Sequence, residues 1–342
     1  MTFALDARLS DAAEYLHAFP ARGRIWGEDL GLRFASLTDC LCLGRSSQVI
    51  LPVHGRVLPV AFKEAGPYLS SQATLPAQAA TALAEDGPFV EFDEAAPFFP
   101  PGADNFWHWT TESLPKLLLM ERLGYTGPYI VPPHSPMVQE SLDVHGIAPE
   151  RRLPCGPKYR VKNLLLPPRL SGFLLPENLP LCAFLREQIL QRVGTLPGER
   201  RVYVRRIGRR RILNEPRFLE LLDEFGFETM TPEDLTLAEQ WRAMTNCACT
   251  IMPHGANNTL TLTQPPGSAF IEFFSNRYIN YSAMQSVRLL KLRYLPLVEE
   301  LDLSWYPDKA TSVHDHLAGG IPADITVHLI HLRMHLEAML NA

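Results

Sequence analysis

The second half of the chain alternates strand-like and helix-like segments so regularly that few architectures remain open to it. Residues 201–204 form a short apolar run. Glu215–Glu224 (EPRFLELLDE) spaces its apolar side chains for a helix and stops at Gly226. Phe227–Met230 reads as a second strand, and residues 237–245 as a helix with Asp234 and Thr236 as cap candidates. Residues 249–252 form a third strand and 269–274 a fourth, apolar enough to be buried. This rhythm predicts a parallel, doubly wound sheet with right-handed crossovers. Its ligand site is expected at the carboxyl ends of the strands.

The first half is less regular. Residues 48–53 and 89–92 are short, apolar or alternating, and bounded by Gly and Pro, as strands are. Residues 105–123 (NFWHWTTESLPKLLLMERL) carry helical spacing, with Pro115 predicted to kink or restart the helix because it removes an amide donor. Residues 129–131 and 164–166 read as buried strands, each ending at a Pro-Pro doublet. Two further helices are expected over residues 181–193 and 325–340. A length of 342 residues with 46% hydrophobic and 20% charged content implies a globular α/β chain of more than one domain. The 30 prolines suit short, stiff loops. The boundaries predicted are 1–175, 176–320, and a C-terminal amphipathic helix over 321–342.

Net charge and cysteines narrow the partners. A formal charge of −5 argues against a nucleic-acid binder that neutralises phosphates over a broad face. The 6 cysteines contain no CxxC spacing, and Cys40, Cys42, Cys247 and Cys249 sit in apolar surroundings expected to be core. The opening residues lack a basic stretch followed by an apolar run, and no window approaches ~18 apolar residues. A soluble, cytoplasmic protein is therefore expected, with peripheral attachment at the inner membrane left open.

Three segments carry candidate chemistry. His254-Gly255-Ala256-Asn257-Asn258 follows the third strand of the second half, where free amides at a strand's carboxyl edge can hold a phosphate. A buried turn whose histidine bonds a carbonyl is the alternative. Arg205-Arg206-Ile207-Gly208-Arg209-Arg210-Arg211 leaves the first strand and concentrates guanidinium groups, which suit phosphate oxygens unless the loop is merely solvated. His108 and Glu112 stand four residues apart on one helical face, as a general base and its orienter would, or as a core histidine among aromatics. His328, His331 and His335 share a stripe of the last helix, but no carboxylate or cysteine nearby completes a metal set. GxGxxG, Walker A and Asp-x-Asp patterns are all absent.

Taken in order, NFWHWTTESLPKLLLMERLG, YVRRIGRRRILNE, PHGANNT and QPPGSAFIEFF resemble glycosyltransferase family 61, in its bacterial surface-polysaccharide branch. The resemblance covers roughly residues 100–295. It implies a GT-B-like fold: two Rossmann-like domains with a cleft between them, the C-terminal one holding a nucleotide sugar. Position by position, it carries over Arg205, Arg210 or Arg211, Asn214 and Glu215 as donor-side residues. It does the same for His254, Gly255, Ala256, Pro266, Gly267 and Glu272, with Asn257 in the same turn, and it matches His108 to the family's N-terminal histidine. Asn257-Asn258 replaces the family's usual Gly-Leu after HGA.

The resemblance implies an inverting transfer from a nucleotide-sugar donor to a saccharide or glycoconjugate acceptor. His108 is the expected base and Glu112 its orienter; arginines and His254 are expected to hold the leaving diphosphate without a metal or other cofactor. Glu272 is expected to bind ribose hydroxyls or to cap a helix. A catalytically degenerate member that binds polysaccharide during assembly is the alternative, motivated by the altered HGANN turn. A phosphate-ester hydrolase ranks last.

Overall fold

The computed structural model describes residues 4–5, 23–43, 48–51, 56–59, 83–84, 88–98, 103–156, 158–168, 178–275, 279–280, 282–299 and 324–340. The chain divides into two compact units, residues 1–185 and 186–342. Among the described residues, no helix is long and apolar enough to cross a membrane.

The first unit is built on a nine-stranded mixed sheet. Its strands are β1 (Ala4–Leu5), β2 (Arg24–Asp29), β3 (Leu32–Leu43), β4 (Gln48–Leu51), β5 (Arg56–Pro59), β6 (Val90–Pro97), β7 (Tyr129–Val131), β8 (Arg152–Pro154) and β9 (Lys158–Leu166). The order is β1-β5-β4-β3-β9-β6-β7-β8, with β2 against β3. β2 and β3 are joined by Leu30 and Gly31, both at positive φ (50° and 77°), the backbone of a tight two-residue hairpin.

β6 changes partners along its length. Its first residues pair β9, and Ala96 and Pro97 pair β7. From there β6, β7 and β8 run parallel, linked by helical segments. Among the described strands of this unit, only this stretch has the Rossmann-like rhythm that the family resemblance implies. β3 runs antiparallel to β2, β4 and β9; its connections to β2 and β4 are too short for a crossover helix, whereas β9 returns to it only after β8. The core joins Ala35, Leu37, Cys40 and Cys42 of β3 to Val161, Leu164 and Leu166 of β9.

The second unit matches the predicted parallel sheet. Its strands are β10 (Arg200–Val204), β11 (Phe227–Met230), β12 (Cys247–Pro253), β13 (Ala269–Ser275) and β14 (Arg293–Glu299). They run parallel in the order β11-β10-β12-β13-β14. The helix over Glu215–Glu224 buries Phe218, Leu221 and Leu222 and ends before Gly226 at φ 69°. Thr236, one of the two cap candidates, forms a capping box with Glu239 ahead of the helix Leu237–Met244. Cys247 and Cys249 are fully buried, and burial pushes both thiols up to about 12.

The last helix starts later than its periodicity predicts, at Leu329 rather than residue 325. Ile325 instead makes a parallel bridge to Ile212, and Leu332 and Leu336 join the core of β10, β12 and β13. His328 and His331 stack on each other at 3.9 Å beside that packing face.

Candidate active site

In the second unit, strand order reverses between β10 and β12: β11 lies to one side of β10, and β12, β13 and β14 to the other. Parallel sheets bind ligands outside the carboxyl ends of the two strands that flank such a reversal. β10 exits into Arg205-Arg206, and β12 exits into His254-Gly255.

The two exits touch. A Cβ placed on Gly255 would lie 1.8 Å from Nη1 of Arg206 and 2.9 Å from its Cζ. The backbone of Gly255 is extended (φ 170°), so its conformation needs no glycine; the approach of the guanidinium does. Arg206 is half-buried, its Nε donates to the Arg209 carbonyl, and burial aided by the like charge of Arg210 pulls it down to about 10. Among the described residues no carboxylate forms an ion pair with it. A charged group held in that position favours an anion.

The other arginine-loop residues have intramolecular partners. Arg205 grips Glu215 with two bonds, Nε to Oε1 at 2.9 Å and Nη2 to Oε2 at 2.5 Å. Arg211 meets Asp324 at 3.1 Å. Asn214 donates to the Val327 carbonyl at 2.8 Å and accepts from the Val327 amide at 3.0 Å, which pins the segment leading into the last helix. Arg210 takes a left-handed backbone at φ 63°. The structure thus gives Arg205, Arg211, Asn214 and Glu215, all expected on the donor, partners within the chain.

His254 lies in a dense buried network. Its Nδ1 is 2.5 Å from Oε1 of Glu272, and its ring stacks on Phe274 at 4.8 Å. Glu272, fully buried in β13, also accepts from the Asn258 amide and from the Tyr294 hydroxyl at 2.7 Å. Both oxygens of the Glu272 carboxylate, expected on ribose hydroxyls or as a helix cap, have partners within the chain, His254 among them. The turn continues into a 3-10 helix over Ala256–Thr263, with Ala256 and Asn257 partly exposed at its start. The Asn258 that departs from the family pattern is one of the residues fastening the network.

In the first unit, Asn105 caps a short helical turn by accepting from the amides of Trp107 and His108 at 3.0 and 3.4 Å. The chain then widens into a π-turn, Trp109–Ser113, before an α-helix over Leu114–Arg122. Pro115 explains the widening: it has no amide for the normal i−4 bond, and the Leu114 amide reaches back to Trp109 instead. His108 and Glu112 come together as expected, Nδ1 to Oε2 at 3.2 Å. Trp107 sets its ring edgewise to His108 at 4.9 Å. Trp109 is fully buried and donates to Ser141 at 2.7 Å.

Residues 106–271 match the family model described as Glycosyltransferase 61. The chain carries a glycosyltransferase family 61 domain. No curated protein matches the chain. The family 61 stretch takes in His108, Glu112, the arginine loop and the His254 turn, and such a domain transfers a glycosyl group from a donor to an acceptor.

Sequence reasoning includes Arg206 and Asn258 in its candidate segments without singling them out, and passes over Tyr294 and Lys116. Arg206 was hidden among identical neighbours. Its one signal is position: it is the second residue beyond β10, facing the glycine two residues beyond β12. Tyr294 lies on β14, an edge strand that Pro296 disguises.

Proposed function

We propose that this family 61 protein is an inverting glycosyltransferase that moves a sugar from a nucleotide-sugar donor to a saccharide or glycoconjugate acceptor in surface-polysaccharide assembly. The observation that carries this reading is Arg206 lying against Gly255 at the strand-order reversal, beside a histidine held by a buried carboxylate. In the GT-B reading, the second unit holds the donor and the first supplies the base. The acceptor hydroxyl loses its proton to Nε2 of His108 while its oxygen attacks the anomeric carbon opposite the nucleotide. The bond from that carbon to the diphosphate breaks, its electron pair leaves on phosphate, and the configuration inverts.

Arg206, His254 and the amides of Ala256 and Asn257 stabilise that departing charge. Arg205, Arg210 and Arg211 add to the positive field around it. With no Asp-x-Asp pair in the sequence to hold a cation, turnover in the presence of EDTA is expected. A nucleotide-sugar donor and cysteines that are all free fit a cytoplasmic location.

Titration of the protein with UDP, GDP, CMP and dTDP identifies the nucleotide, and the matching nucleotide sugars test turnover by slow hydrolysis. Arg206→Ala should weaken binding by about 1–3 kcal/mol, the scale of a charge-assisted hydrogen bond. Unchanged affinity in that variant refutes the site. Binding of every nucleotide sugar without turnover of any refutes the enzyme and leaves a polysaccharide-assembly binding protein.

A further inference from the structure

Lys116 is the one lysine among the buried polar and charged residues of the described chain. It lies on the helix Leu114–Arg122 with buried apolar neighbours, Leu114, Leu117 and Leu118 among them. Its ammonium donates to the Pro168 carbonyl at 3.3 Å, beyond the end of β9. One carbonyl is little compensation for a buried ammonium, which has three donors. The charged group that bears on it is Glu112, one turn back, and Glu112 stands 3.2 Å from His108, one turn further back. Cation, carboxylate and imidazole thus follow one another along a single helical segment, at residues 116, 112 and 108.

We propose that Lys116 is a positioning residue that sets the protonation state of the His108–Glu112 pair, drawing on the charge of Glu112 so that His108 stays neutral and able to accept a proton. The proposal rests on the reading of His108 as the acceptor base. Glu112 alone would favour the imidazolium, because an adjacent carboxylate stabilises a protonated histidine. An imidazolium cannot act as a base. A second cation on the far side of the carboxylate opposes that pull. Burial moves Lys116 itself down to about 8 and Glu112 opposes that shift, so the ammonium keeps its charge at neutral pH.

The test is the titration of the His108 ring followed by NMR in the full chain, with the resonance assigned from His108→Asn. Lys116→Met should raise the His108 midpoint by about one pH unit. Lys116→Arg, which restores a cation, should return it toward wild type. In the active enzyme the acid limb of kcat should move up by the same amount, with KM for the donor unchanged. A folded Lys116→Met protein whose His108 midpoint stays put or falls overturns the proposal.

Should the methionine variant fail to fold, the Lys116 side chain is titrated directly in wild type and in Glu112→Gln. Its midpoint should drop in the glutamine variant, and an unmoved midpoint overturns the coupling. A His108 shift without any change in the kcat profile sinks the base assignment and spares the charge coupling, so the two failures are distinguishable.

Discussion

Among the described residues there are two histidine–carboxylate pairs, and they are built in opposite ways. His108 and Glu112 are four residues apart in one stretch of helix, with side chains 17% and 18% exposed. His254 and Glu272 are 18 residues apart, on the exit and the interior of neighbouring parallel strands, with side chains 4% and 0% exposed. Glu272 has both oxygens occupied, so its imidazole is fixed in place by a network that excludes water. Glu112 is partly open to solvent and meets His108 at 3.2 Å. A pair of the first kind suits a group that must gain and lose a proton during a reaction. A pair of the second kind suits a group that must present one ring edge, unmoving, to a ligand.

The largest expected effect separates them by rate. His108→Asn should lower kcat by roughly 10²–10⁴, the worth of a general base, with nucleotide affinity unchanged, because the donor site proposed above lies in the second unit. Its effect on stability should be under about 1 kcal/mol, since the side chain is partly exposed and removed without opening a core. Steady-state kinetics beside nucleotide titration gives both numbers. A variant that loses affinity but keeps its rate would make His108 a structural residue and pass the role of base to Glu112.

The next effect falls on the other pair and is read as stability. Glu272→Ala takes the shared carboxylate away from His254, Asn258 and Tyr294, and removing one partner from a buried polar network of this kind costs about 3–5 kcal/mol. Urea unfolding of the variant against wild type measures it. A cost as small as that of His108→Asn would mean that water replaces the carboxylate easily and that the network is no fixed mount. The comparison between the pairs would then collapse.

The difference in range also explains what could be read from the sequence. His108–Glu112 was visible because four residues make one helical turn, a relation that needs no knowledge of the fold. The parallel sheet of the second unit was visible because its strands and helices alternate with few interruptions. The Arg206–Gly255 contact depends on which strands become neighbours, and strand order is not written in local periodicity. The partners of Asn214 and Arg211 are hidden for the same reason: Val327 and Asp324 lie 113 residues away. In the first unit β2 to β5 pair antiparallel, and the Rossmann-like domain that the resemblance implies is met, among the described strands, by β6 to β8.

The smallest expected effect divides the arginine loop itself. Five arginines fall within residues 205–211, and composition treats them alike. The structure does not. Arg211 is exposed and paired with Asp324, an arrangement that holds the approach to the last helix and leaves the strand-order reversal to Arg206. An exposed pair of this kind is worth less than about 1 kcal/mol to stability, screened by salt. Arg211→Ala should therefore shift the melting temperature slightly, lose that shift at high ionic strength, and change nucleotide affinity by less than about 0.5 kcal/mol. Arg206→Ala should do the reverse, weakening the nucleotide while sparing the fold, because its removal relieves a guanidinium that burial disfavours. Equal losses of affinity in the two variants would show that the loop acts as a diffuse positive field, and that the contact with Gly255 confers nothing particular on Arg206.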